Sequence, residues 1–334
     1  MSRPALRPYK CILPLLVALS ARACAPAGGG TPPAAIASEP EAATPPVEPP
    51  EAPAPPEAPA SPEARPALRD PAAPSAEAPV EPTPALLPTD DSALADDADD
   101  PACATGMALV AGSACLAPEQ RCVEYQTIPG APPGKQTGHC LRYAERVTCF
   151  EDRRRPMRFC MDRYEWPNRR GDKPRVLTSW EEARSLCASA GKRLCTEAEF
   201  NFACEGESMR PYVYGHARDA TQCNFDRPYR PRTFVFTPWE RCMEDEACRA
   251  AFDAIDQRLP AGALATCRSD HGVYDLIGNV NEWVMRPDER TPHRSGIKGG
   301  WWGPVRARCR PTVTFHDEGD YGYEVGFRCC GDAG

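Results

Sequence analysis

Apolar residues change their spacing near residue 100, and regular elements are expected only beyond that point. Ahead of it the one apolar run is Cys11-Ile12-Leu13-Pro14-Leu15-Leu16-Val17-Ala18-Leu19, well short of the roughly 18 residues that cross a bilayer as a helix. Beyond it, Met107-Ala108-Leu109-Val110-Ala111-Gly112 reads as a strand running into a turn, and residues 158–165 alternate as a strand does. The rest of the segment 103–150 is expected to be loop held by cysteines. Residues 178–191 supply an N-cap, a capping glutamate, apolar spacing of three and four, and a glycine stop, which predicts a helix. A second helix is predicted over 196–204, capped by Thr196 with Glu199 at its third position, and one further helix over 238–252. Short strands and long Gly/Pro-rich loops fill the remainder, and no internal repeat is visible.

Composition divides the chain at the same place. Residues 25–100 contain 20 of the 40 prolines and 15 of the 47 acidic residues, with Arg65 and Arg69 as the only basic ones and no aromatic residue. Such a segment cannot bury enough surface to offset its conformational entropy, so residues 24–100 are expected to be a disordered Pro/Ala/Glu tether, partly extended as polyproline II. The acidity of the chain belongs to this tether. Residues 101–334 are close to neutral and are expected to form one folded domain, without the basic surface that nucleic acid requires.

Residues 1–23 combine Arg3, Arg7 and Lys10 with the short apolar run and end in Ala21-Arg22-Ala23, the form of a bacterial export signal. Cleavage before Cys24 suits either an ordinary signal peptidase or lipoprotein processing, in which the thiol of Cys24 takes lipid and anchors the chain to a membrane. Cysteine parity favours the second route: losing Cys11 with the signal and consuming Cys24 leaves sixteen cysteines between Cys103 and Cys330. In an exported domain these read as up to eight disulfides. A zinc-rich domain is the alternative, but no Cys-x-x-Cys pair occurs in the domain.

The run Tyr274-Asp275-Leu276-Ile277-Gly278-Asn279-Val280-Asn281-Glu282-Trp283, then Lys298-Gly299-Gly300-Trp301-Trp302 and Gly326-Phe327-Arg328-Cys329-Cys330, resembles the signature of the formylglycine-generating enzyme (sulfatase-modifying factor) family. Lys192-Arg193-Leu194-Cys195-Thr196-Glu197-Ala198-Glu199-Phe200 and the turn at 212–215 resemble further family segments in the expected order, over about residues 105 to 330. The resemblance implies an α+β domain, a variant of the C-type-lectin fold with low regular secondary structure and many disulfides. It implies that Cys187 pairs with Cys329 and Cys204 with Cys309, leaving Cys160, Cys195 and Cys330 as additions available for other bridges. It also implies structural calcium in a loop whose ligand positions correspond to Asp275, the carbonyls of Gly278 and Val280, and Glu282. Calcium wants six to eight hard oxygens, which two carboxylates around a glycine turn help to supply. A second family site would begin at Asn224 and the carbonyl of Phe225. The alternative is a loop held by side-chain hydrogen bonds without metal.

The oxidases of that family hold copper(I) on two cysteines five residues apart after Gly-Gly-Ser. Here, counting forward from Gly300 places Pro304 at the first position and Cys309 at the second. Counting back from Gly326 places residues 306–309 on a segment whose cysteine is structural, and leaves neither ligand in place. Copper is therefore not expected, and Cys309 is a catalytic candidate only if the chain is an enzyme after all. The histidine cluster by which related sulfoxide synthases hold iron is absent too, since His139, His216, His271, His293 and His316 are widely separated. Trp301, Trp302, Arg306, Arg308 and His316 fall where the family builds its substrate groove, and suit a planar or anionic partner; the alternative is that the tryptophans fill the core beside Trp283 and the arginines pair with the acidic residues at 317, 318 and 320. The expected function is a non-oxidase module that binds an envelope protein or a small ligand. A formylglycine-type oxidase, or a related metal-dependent oxidoreductase with a rearranged site, is the alternative.

Overall fold

A computed structural model describes residues 99–130 and 137–334. The expected export signal, the lipidation site Cys24 and the tether fall outside the described residues, apart from Asp99 and Asp100 at its end. The described residues form a mixed α+β fold with little regular structure. Its first sheet runs β1 (Met107–Cys115), β4 (Arg154–Asp162), β9 (Cys329–Asp332) and β5 (Arg193–Leu194), every neighbour antiparallel. A second sheet has β6 (Asn281–Met285) between β7 (Ser295–Lys298), antiparallel to it, and β8 (Val325–Phe327), parallel to it. Both sheets thus take a strand from the C-terminal segment, β8 and β9 being separated only by Arg328.

Both strands foreseen in the sequence form, with shifted ends. β1 runs on to Cys115, and β4 begins at Arg154 because its outer half pairs along β1 with exposed side chains that give no apolar alternation. A hairpin of β2 (Cys122–Thr127) and β3 (Thr137–Tyr143) replaces the expected loop. Its β2 residues are mostly exposed, so no apolar pattern announced it; backbone pairing and the Cys122–Cys140 disulfide hold it.

The two capped helices are α1 (Trp180–Ser189) and α2 (Glu197–Glu205). Ser179 caps α1 by accepting from the Glu182 N–H at 3.2 Å. Thr196 and Glu199 form a reciprocal capping box on α2, with Glu199 Oε2 accepting from the Thr196 N–H at 2.7 Å. The single helix expected over 238–252 is two, α3 (Trp239–Glu244) and α4 (Glu246–Ile255). Asp245 is extended (φ −85°, ψ 118°), ends α3, and caps α4 by accepting from Cys248 N–H. The break lets Cys242 and Cys248 form a disulfide across the corner.

All sixteen cysteines from Cys103 to Cys330 are joined in eight disulfides. Cys187–Cys329 ties α1 to β9, Cys204–Cys309 ties α2 to the segment after the double glycine, and Cys195–Cys330 closes the edge beside β5. Trp180 and Trp283 tie the start of α1 to β6, donating their indole N–H groups to the carbonyls of Val284 and Thr178 at 3.0 and 2.8 Å. Among the described residues no helix is long and apolar enough to cross a membrane. Thr196→Ala removes the capping box and is expected to lower the unfolding free energy by about 1 kcal/mol, measured by urea denaturation with the disulfides intact.

Candidate functional site

The loop that links Tyr274 to β6 turns through left-handed backbone at Asp275 (φ 59°), Gly278 (φ 77°) and Asn279 (φ 54°). Glycine is required at 278, because a Cβ there would lie 2.3 Å from the Asn224 carbonyl oxygen. That same carbonyl accepts from the Asn279 N–H at 2.8 Å. The Asn279 side chain bridges outward: Nδ2 donates to Glu165 Oε2 at 2.6 Å, and Oδ1 accepts from Leu259 N–H at 2.9 Å. Glu165 also accepts from the Val280 N–H at 3.1 Å.

Below the loop lies a buried charge cluster. Arg328 donates two bonds of 2.7 Å to Glu282, both side chains being 1% exposed. Asp275 Oδ2 accepts from the Gly262 N–H at 2.7 Å. Burial pushes the Glu165 carboxyl well up, and Asp275 and Glu282 beside it push the same way against the pull of Arg328. Asp275 is raised to about 6, first by burial. Glu282 is raised by burial, opposed by Arg328. Three carboxylates thus surround one guanidinium. Glu165 and Arg328 had no assigned role in the sequence, although Glu165 ends the stretch read as a strand and Arg328 lies inside a family-like segment.

This donor set fits the expected calcium ion at Asp275 and Glu282: hard oxygens carry a surplus of negative charge over Arg328, and each Glu282 oxygen retains a lone pair beyond its bond to the guanidinium. Side chains alone do not suffice, since no three His, Cys, Asp or Glu residues converge on a metal position among the described residues. The carbonyls of Gly278 and Val280 would have to complete the set. At the second expected position the fit fails. Asn224 Oδ1 already accepts from Arg227 Nε at 3.0 Å, and neither expected ligand there, Asn224 or the Phe225 carbonyl, carries a negative charge to offset that guanidinium.

The segment after β7 folds back tightly on itself. A Cβ on Gly299 would lie 2.9 Å from the Leu276 carbonyl oxygen, and one on Gly300 would lie 2.8 Å from Ala307 Cα. The six residues between Gly300 and Ala307 therefore form a short outward loop, and Cys309 is returned to α2. There it is bonded to Cys204 and 0% exposed. A disulfide sulfur is not a thiolate, so the copper(I) pair does not fit this segment.

The residues expected to bind a ligand separate. Trp301, Arg306 and His316 line a groove of about 190 Å³ beside the double glycine, together with Lys298, Phe315 and Glu324. Arg308 lies elsewhere, donating to the Tyr143 hydroxyl. Trp302 is corrected to a core residue: at 1% exposure it packs among Val280, Phe252 and Val176 and presents no face to a ligand. His316 leans on Asp320, with Nδ1 3.4 Å from its carboxylate.

Lys298 carried no expectation and is the unusual member of this groove. Its ammonium nitrogen donates to the Arg310 carbonyl at 2.8 Å and the Thr312 hydroxyl at 3.1 Å, yet its side chain is 1% exposed. Burial lowers it to about 7, against the pull of Glu197.

A model of the sulfatase-modifying factor enzyme 1-like domain matches residues 136–333, more than half of the chain. The fold and the loop beneath it are those of a formylglycine-generating-enzyme-type domain, and the chain belongs to that family. β1 precedes the matched range. The inactive C-alpha-formylglycine-generating enzyme 2 of Bos taurus is 28% identical over 170 residues, 48% of this chain and 51% of that one. The formylglycine-generating enzyme of Mus musculus is 27% identical over 184 residues, 49% of this chain and 45% of that one. The chain spans about half the length of these curated relatives. Among solved structures, PvdO from Pseudomonas aeruginosa aligns with a TM-score of 0.39 at 18% identity, covering 68% of this chain and 94% of that one.

A lysine whose folded value lies below its ordinary 10.5 has released a proton that the unfolded chain still holds, so stability rises with pH between about 7 and 10.5. Relative to Lys298→Met, the wild type is expected to gain on the order of 1 kcal/mol per pH unit from pH 7.5 to 9, measured by denaturant unfolding at each pH. A difference that does not vary with pH would mean that the lysine stays charged.

Proposed function

We propose that this chain is a non-oxidase member of its family, an exported module that binds a protein or small ligand at the cell envelope. Its groove beside Gly299 and Gly300 is the binding site, and lipidated Cys24 is its anchor. The Cys204–Cys309 disulfide carries this reading. Copper-dependent oxidation of a substrate cysteine needs two thiolates in the segment after the double glycine. That segment offers Trp301 and Arg306 to the groove instead, and commits its one sulfur to holding α2. Likeness alone does not separate the two activities, because the relative named inactive and the relative named as a formylglycine-generating enzyme match at 28% and 27% identity.

The groove suits a ligand with both flat and charged parts. Trp301 stacks edge-on against Trp302 and Tyr323, 5.2 and 5.6 Å between ring centres, so its orientation is set before any ligand arrives. Phe315, 76% exposed, adds an apolar rim. Calcium in this reading is structural: held by Asp275, Glu282 and the carbonyls of Gly278 and Val280, it would neutralise the surplus charge of the buried cluster and stiffen the loop against which Gly299 packs.

Alkylation of the folded full chain before reduction, followed by mass spectrometry, is expected to leave Cys309 unlabelled. Added copper(I) is expected to produce no oxygen uptake with a cysteine-containing peptide. Labelling of Cys309 together with a second cysteine, accompanied by oxygen uptake, would return the chain to the oxidases. Chelation by EGTA is expected to lower the melting temperature by several degrees, and Asp275→Asn to abolish that sensitivity. An unchanged melt in protein without bound calcium would end the calcium assignment.

A further inference from the structure

The hairpin β2–β3 overhangs the body of the domain and leaves a cleft of about 540 Å³, which meets the groove just described only at Arg306. Three guanidinium groups line it, those of Arg218, Arg306 and Arg308, and among the described residues no carboxylate does. Arg218 is already neutralised and fixed. It is clamped by Asp226 at 2.9 and 2.6 Å and donates to the Val305 carbonyl at 2.7 Å. The other two are not. Arg308 is aimed by its bond to the Tyr143 hydroxyl and by the face of that ring, 5.2 Å away, and neither neutralises its charge. Arg306 is exposed and makes no hydrogen bond or ion pair among the described residues.

Among the described residues the cleft therefore carries a charge of two, on Arg306 and Arg308, that no carboxylate offsets. His139 on the hairpin is held below its ordinary value chiefly by burial, then by the charge of Arg218, with Arg306 a smaller contributor, against the pull of Asp226. Glu124 on the hairpin is paired with Arg142 at 3.0 Å. Tyr125 stands on the hairpin wall of the cleft at 54% exposure, a flat face with no ring stacked on it among the described residues.

We propose that this cleft binds a small oxyanion-bearing ligand, with Arg306 and Arg308 taking its carboxylate, sulfate or phosphate group and Tyr125 taking an adjoining ring. Planar forked donors suit such groups, and their charge-assisted bonds are stronger than neutral ones. The site shares Arg306 with the groove and does not depend on the absence of oxidase chemistry.

Isothermal titration of the full, disulfide-bonded chain with benzoate, acetate, inorganic phosphate and sulfate tests it, and the rank order separates the sources of the anion. Benzoate is expected to bind saturably, more tightly than acetate, and to compete with phosphate. Arg306→Ala is expected to weaken every probe about tenfold or more. Tyr125→Ala is expected to bring benzoate down to acetate. Arg308→Gln is expected to act like Arg306→Ala; should it fail to fold, because Arg308 supports Tyr143, the two exposed positions carry the test alone. Trp301→Ala, which alters only the groove, is expected to leave binding unchanged. Absence of saturable binding by any probe, binding indifferent to Arg306→Ala, or binding lost through Trp301→Ala would overturn the proposal.

Discussion

The buried ion pair between Arg328 and Glu282 is the constraint on which the two sheets depend. Arg328 lies between β8 and β9, where the chain passes from one sheet to the other across a single residue. Its guanidinium grips Glu282 on β6 and donates toward the carbonyls of Asp162 and Arg163 at the end of β4, at 3.3 and 3.4 Å. Asp162 answers by accepting from Cys329 N–H at 3.1 Å and from Lys192 at 2.6 Å. Breaking such a pair leaves an uncompensated buried charge, which typically costs about 3–5 kcal/mol. A one-residue slip of the C-terminal strands would strand Arg328 against apolar neighbours, so the pair selects the register. The same charge cluster forms the floor of the loop proposed to hold calcium, and scaffold and site are one electrostatic object.

Sulfur is divided in a way that bears on function. Three disulfides, Cys187–Cys329, Cys195–Cys330 and Cys204–Cys309, converge on the C-terminal third and fasten it to both helices. Long closed loops of this kind remove much entropy from the unfolded chain, an effect suited to a domain with little regular structure. Cys309 cannot serve this role and also act as a thiolate. The tight return at Gly300 over Ala307 decides the matter geometrically, since it shortens the loop that precedes Cys309 and brings that residue to α2.

The two proposed recognition surfaces draw on residues that the sequence placed at one. Trp301, Arg306 and Arg308 are close in sequence, but the loop turns between them. Trp301 faces the groove, Arg308 faces the hairpin cleft, and Arg306 borders both. The hairpin supplies the second wall of the cleft, and it was invisible in the apolar pattern because its outer faces are wet.

Local chemistry written into short stretches of chain was legible without the fold. Thr196 and Glu199 cap α2 because a capping box needs only residues three apart, and even cysteine parity in residues 101–334 anticipated complete pairing. The family followed from motif order. Where side chains from distant segments meet, the sequence was silent or misleading. Asp245 splits a helix that periodicity carries through. Glu165, Asp275, Glu282 and Arg328 become one charge cluster only when β4, β6 and the C-terminus come together, and the lowered value of Lys298 exists only because packing excludes water from it. Periodicity and capping are properties of neighbours along the chain, whereas burial, charge coupling and the division of the two clefts depend on which segments face one another, and tertiary packing alone decides that.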